Sequence, residues 1–114
     1  MMLIGFDHET HLIRPGLLAP PPVCLTSSVS TTSIVVGEAQ YALLRAWLSA
    51  KNVILVGANT AYDVGVSMEA WPELIPLWFD AYEQDRVRDC QIDEMLIDIA
   101  HGRLGGWVDA QTGR

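Results

Sequence analysis

The sequence predicts an α/β domain built on one mixed sheet, with helices on its faces. Strand-like runs come first and lie close together, which makes the first three strands antiparallel neighbours. From residue 38 onward helical and strand patterns alternate, the signature of later strands that run parallel. The 114 residues are 50% apolar and 18% charged, so the chain is globular and sized for a single domain.

Residues 2–8 are apolar enough for a buried first strand. Arg14-Pro-Gly16 and Ala19-Pro-Pro-Pro22 then force a loop, because proline cannot sit inside a central strand. Residues 23–29 are rich in β-formers and predict a second strand. A Ser-Thr run leads to a short third strand at 33–36. Ala39, Leu43, Leu44, Trp47 and Leu48 share one helical face, so 38–50 is an amphipathic helix. The unbroken apolar run at 53–56, ending at Gly57, predicts a central strand covered on both faces. Asn59 or Thr60 can cap a helix running to about Glu69. Pro72 suits the first turn of another helix, with Leu74, Leu77, Trp78 and Ala81 inward. Residues 87–90 form a short edge strand, and 91–101 a last helix carrying Met95, Leu96 and Ile99 on one side. Gly102 stops that helix. The domain therefore spans 1–104, and 105–114 is an aperiodic tail. No internal repeat or low-complexity linker is visible.

Fourteen acids against seven bases give a net charge of -7, the wrong sign for autonomous binding of nucleic acid. Cys24 and Cys90 fit no zinc spacing and are too few for a disulfide framework, so both are expected as buried free thiols. The N-terminal apolar run is interrupted by Asp7 and lacks a basic flank, unlike a signal peptide. The best apolar window, 41–58, contains Arg45 and Lys51, so no membrane span is expected. These features predict a cytoplasmic protein.

The chemistry is carried by acids. Asp7 and Glu9 are one residue apart at the end of the first strand, so their side chains share one side of the sheet. Two anions that close need a shared proton, a basic partner or a cation. With no base nearby before Arg14, a hard divalent ion is the simplest partner. In Val56-Gly-Ala-Asn-Thr-Ala-Tyr-Asp63, Asn59 and Asp63 fall on the same face of a helix's first turn, where the helix end favours carboxylate or phosphate. If the strand at 53–56 lies beside the first strand, Asp63 converges on Asp7 and Glu9 to make a Mg²⁺ or Mn²⁺ site of the phosphoryl-transfer kind.

Phe6-Asp-His-Glu-Thr10 resembles the Asp-x-Glu-Thr motif of the DEDD 3′–5′ exonucleases. Gly57-Ala-Asn-Thr-Ala-Tyr-Asp63 resembles their second motif, and 88–100 resembles the Asp-Thr and Leu-rich helix that follows. The likeness is to the proofreading domain of phage and bacterial family A DNA polymerases and covers residues 2 to about 104. It implies a ribonuclease H-like fold and two-metal hydrolysis of a terminal phosphodiester at the 3′ end of single-stranded DNA. The polymerase domain would lie in the same longer chain or in a partner. By that likeness Asp7 bridges both ions, Glu9 ligates the ion that activates water and touches the terminal 3′ hydroxyl, and Asp63 holds the second ion. Thr10 and Asn59 match positions that contact the terminal nucleotide, with Tyr62 packed nearby.

The family's third motif, a Tyr or His shortly before a fourth Asp, has no match after Gly102, since Asp109 lacks the partner. Asp98 sits on the preceding helix and is expected to be solvated. The chain thus reads as C-terminally incomplete, with little or no activity alone. A non-catalytic scaffold or interaction module is the alternative, and a related exoribonuclease another, since no residue reports on a 2′ hydroxyl. Simpler roles stand beside these. Asn59 and Thr60 serve as helix caps, Asp63 can answer the helix dipole, and Tyr62 suits the core as well as a site. His8 and His11 lack a zinc-binding order. His101 suits a helix C-terminus, Trp47, Trp71 and Trp78 the core, and Asp80, Glu83 and Asp85 a solvated face.

Overall fold

The computed structural model describes residues 1–29 and 33–103. Most of the Ser-Thr run and the tail, including Asp109, lie outside the described residues. Five strands form one sheet in the order β3-β2-β1-β4-β5. They are β1 (Met2–Thr10), β2 (Pro22–Ser27), β3 (Ser33–Val36), β4 (Val53–Gly57) and β5 (Val87–Asp89). The α-helices are α1 (Glu38–Ser49), α2 (Thr60–Ala70), α3 (Ile75–Glu83) and α4 (Cys90–Ala100), with a 3-10 turn at Pro72–Leu74 before α3. The first three strands are antiparallel, while β4 and β5 run parallel to β1 and to each other. This is the mixed α/β sheet that the element order predicts.

β1 is two residues longer than the apolar run that predicts it, because its C-terminal half pairs with β2 as far as Thr10↔Pro22. Its pairing with β4 stops earlier, at Gly5↔Val56. The last residues of β1 therefore project past the end of β4, leaving backbone amides on that side for another partner.

The core lies on one face only. Ile4 and Phe6 of β1, Leu25 of β2 and Leu55 of β4 point to it, and Leu44, Trp47, Leu48, Val64, Leu74, Trp78 and Ala81 cover them. α1 presents Gln40, Leu44, Trp47 and Leu48, a spacing that puts all four on one stripe. Ala39, expected inward, is exposed, and Gln40 takes its place. Trp78 is fully buried, stacks at 5.9 Å from Phe6 and donates its indole N–H to Ser67 Oγ at 2.6 Å. A buried indole without such an acceptor would lose about 1–3 kcal/mol.

Arg86 closes the helical side. It is 3% exposed, yet among the described residues no carboxylate pairs with it. Its guanidinium instead donates to the carbonyls of Leu48, Ala50 and Val53 at 2.9, 3.1 and 3.2 Å, and to Gln84 Oε1 at 2.7 Å. It thereby ties together the carbonyls where α1 ends and β4 begins, sharing that of Ala50 with the Val53 amide.

Three expectations need correction. β4 is fully covered on one face, not both: Val53 and Leu55 are buried, whereas Ile54 and Val56 are half-buried. Cys90 is exposed and Cys24 half-buried, so these free thiols are not core residues. α4 buries none of its side chains, and Ile92, Met95, Leu96, Ile97 and Ile99 are each more than half exposed.

Candidate functional site

Asp7 and Glu9 stand where period 2 puts them, both exposed on the uncovered face of β1. Between them His8 turns to the helical face, 4% exposed, with its ring 6.2 Å from that of Trp71. Its Nδ1 lies 3.4 Å from the Cys24 carbonyl, while among the described residues neither Nε2 nor the buried Gln40 Oε1 has a partner. Burial holds the His8 imidazole below its ordinary value, against the opposing pull of the Cys24 carbonyl, Gln40 and Asp7. His8 is thus a neutral core residue.

At Gly57 the chain turns from β4 into α2. A Cβ there would stand 3.3 Å from the Thr60 methyl and 3.4 Å from the Phe6 carbonyl, a tight fit in which the Thr60 methyl would have to give by a few tenths of an ångström. Asn59 follows in the left-handed region at φ 57, a conformation asparagine tolerates. Its side chain makes no capping bond. The cap comes from elsewhere: Asp89 at the end of β5 accepts from the amides of Asn59 at 3.3 Å and Thr60 at 2.8 Å. The same carboxylate caps α4, accepting from Gln91 at 2.9 Å and Ile92 at 3.3 Å. Burial works to raise the Asp89 carboxyl, but the bonds from Thr60, Ile92 and Gln91 outweigh it and hold it below the usual range.

Asp63, in the first turn of α2, is 2% exposed. Its Oδ1 accepts the backbone N–H of His8 at 2.9 Å. Because β4 has ended, the carboxylate takes the place that a carbonyl of the next strand residue would fill. Burial pushes this carboxyl up to about 6, opposed by the His8 amide and reinforced by the negative charges of Asp7 and Glu9. The three acids are therefore within electrostatic reach of one another.

Tyr62 points to the end of β1, its hydroxyl 2.7 Å from Thr10 Oγ1. Thr10 gives its only hydroxyl proton to the His11 carbonyl at 2.9 Å, so Tyr62 must be the donor in the pair. Glu9, Thr10, Leu12, Ile13, Asn59 and Tyr62 line a hollow of about 580 Å³ beside the acids. That size falls within the ~300–1,000 Å³ usual for small-molecule sites.

The structure thus brings Asp63 to β1, pairs Tyr62 with Thr10 and sets Asn59 on the same hollow as Glu9. It does not gather the acids into a ready cage. Among the described residues, no three His, Cys, Asp or Glu side chains converge closely enough to hold a metal ion. The donor chemistry, all carboxylate oxygen, does suit a hard divalent ion. Asp98 is paired with Arg103 at 3.0 Å and is not fully solvated. Asp80, Glu83 and Asp85 are exposed as expected, Asp85 pairing with Arg88 at 3.0 Å. Asp89 and Arg86 are the residues that sequence reasoning passed over. Asp before a helical run is a capping signal for α4, but its reach to α2 crosses thirty residues and has no local signature.

Comparison of the chain with protein-family models, curated proteins and solved structures returns no match.

Proposed function

We propose that this chain is the acid-bearing part of a 3′–5′ exonuclease domain of the DEDD type, with a ribonuclease H-like fold. It would act on the 3′ end of single-stranded DNA and serve proofreading beside a polymerase domain, in the cytoplasm. No helix among the described residues is long and apolar enough to cross a membrane, which is compatible with that setting.

The observation that carries the reading is the placement of Asp63. A carboxylate held at the end of β1, buried and raised to about 6 partly by Asp7 and Glu9, is a poor choice for stability. Perturbed acids of this kind cluster at functional sites. Asp7, Glu9 and Asp63 would hold two Mg²⁺ or Mn²⁺ ions, which when bound activate water and stabilise the leaving oxygen. The chain's own part is to bind and orient. Asn59, Thr10 and Tyr62 offer polar groups around the hollow, and the exposed Leu12 and Ile13 offer it an apolar wall.

The non-catalytic reading draws on one specific observation, the lack of a converged metal cage among the described residues. Calorimetric titration with Mn²⁺ separates the two. Wild-type protein is expected to release binding heat that Asp7→Ala loses, with hydrolysis of a labelled single strand near background in both. Equal heats from the two proteins, or none from either, would refute the metal site.

A further inference from the structure

Among the described residues, two apolar surfaces are left without a cover. The first is the open face of the sheet. Side chains alternating with the buried Ile4, Phe6, Leu25 and Leu55 point there, and register places Leu3 beside Ile54, Thr26 beside Ile34, and Cys24 beside Val36. Leu3, Ile34 and Val36 are 66%, 64% and 63% exposed. At the middle of this face Gly5 contributes no side chain, and a hollow of about 650 Å³ opens over it between Asp7, Thr26, Val56 and Cys90. The second surface is α4. Ile92, Met95, Leu96 and Ile99 recur at the i, i+3, i+4, i+7 spacing of one stripe, all exposed by more than half. An eleven-residue helix with no tertiary cover is marginal in water.

α4 starts from an anchored end. Asp89 holds the first amides of α4 and the amides of Asn59 and Thr60 with one carboxylate, which ties the start of α4 to the start of α2.

We propose that the occupant of both surfaces is a second copy of the chain, joined in a two-fold dimer in which α4 of each copy covers the open sheet face of the other. A sheet face is normally covered by helices, and this chain carries an uncovered apolar helix. A two-fold axis satisfies both surfaces at once and closes the assembly. The stripe and the three exposed sheet residues amount to roughly 700 Å² per copy at about 100 Å² each, close to the ~800 Å² each partner contributes to a standard interface. The net charge of -7 opposes association, but salt screens exposed charges beyond about 8 Å at physiological ionic strength. The dimer therefore tightens as salt rises. The covered face includes the hollow beside Asp7, so the inference touches the nuclease reading, but its readout, self-association, is separate from metal binding.

Sedimentation equilibrium of the 114-residue chain at 50 and 500 mM salt tests it, with amide exchange of α4 followed against protein concentration. The expected result is a reversible dimer, tighter at high salt, whose formation protects the α4 amides. Leu96→Glu and Leu3→Glu, both at exposed positions that leave the core intact, should each weaken it at least ~10-fold by burying an unpaired charge. A monomer at 200 µM with α4 unprotected overturns the proposal, as does association that weakens with salt. Loss of the dimer in only one of the two variants, or in neither, overturns the helix-on-sheet pairing.

Discussion

Asp63→Asn isolates the electrostatic cost of the buried acid. Asparagine has the same shape, and its Oδ1 can still accept the His8 amide, so little changes except charge. The rise of the carboxyl from 3.8 to about 6 in the folded state corresponds to about 3 kcal/mol of penalty on the ionised form. The sign follows from proton uptake. Between pH 4 and 6 the folded state holds a proton that the unfolded chain has released, so wild-type stability falls as pH rises through that window. Above pH 7 the penalty is complete, and Asp63→Asn should be more stable than wild type by up to about 3 kcal/mol, a melting shift on the order of 10 °C. Below pH 4 the two proteins should be alike. His8 acts in the opposite direction, since a buried neutral imidazole is lost as pH falls below its ordinary 6.5. It is common to both proteins and cancels in their difference. Urea unfolding followed by tryptophan fluorescence at pH 4 and pH 8 measures that difference, with Trp47 and Trp78 as buried reporters. A variant no more stable than wild type at pH 8, or an offset that does not change with pH, would show that Asp63 is not held against its own charge.

Asp89→Ala removes the caps of α2 and α4 together and should cost about 2–3 kcal/mol above pH 5, read by urea denaturation under circular dichroism. Because the Asp89 carboxyl is held low, its contribution is complete above the ordinary carboxylate range and is lost as pH falls through the folded value, so the gap should narrow in acid. Arg86→Met keeps the apolar stem but removes the guanidinium donors to the carbonyls of Leu48, Ala50 and Val53, of which Ala50 keeps the Val53 amide, and the urea midpoint should report a loss of about 2 kcal/mol or more. Tyr62→Phe removes only the donor to Thr10, and a loss beyond about 1.5 kcal/mol would contradict the local character of that bond.

What the sequence made legible, and what it hid, divides along the range of the interactions involved. β3 and the first residue of α1 fall where local pattern puts them, because a β-branched run and a periodic stripe carry their own signal. The shared side of Asp7 and Glu9 follows from strand geometry alone. Long-range partners were not legible. Asn59 looks like a cap by type, but its left-handed backbone leaves the cap to Asp89, a residue that meets it only after the sheet has formed. Arg86 looks like one more surface base, and only the end of α1 shows why it is buried.

The one-sided sheet shows how the remaining misreading arose. An unbroken apolar run such as Val53-Ile-Leu-Val56 signals cover on both faces when some other layer supplies the second cover. Here α1, α2 and α3 supply one layer, and Ile54 and Val56 look out on the side where Asp7 and Glu9 stand. The pattern therefore records a second layer that the described residues do not provide. Apolar Leu3, Ile34 and Val36 on the same face, and the bare stripe of α4, carry the same record independently. Had β4 alone been so written, the excess could be chance. Three strands and a helix share the same surplus, and in the proposed dimer that surplus is what the second copy covers, with Asp7 and Glu9 on the same face of β1.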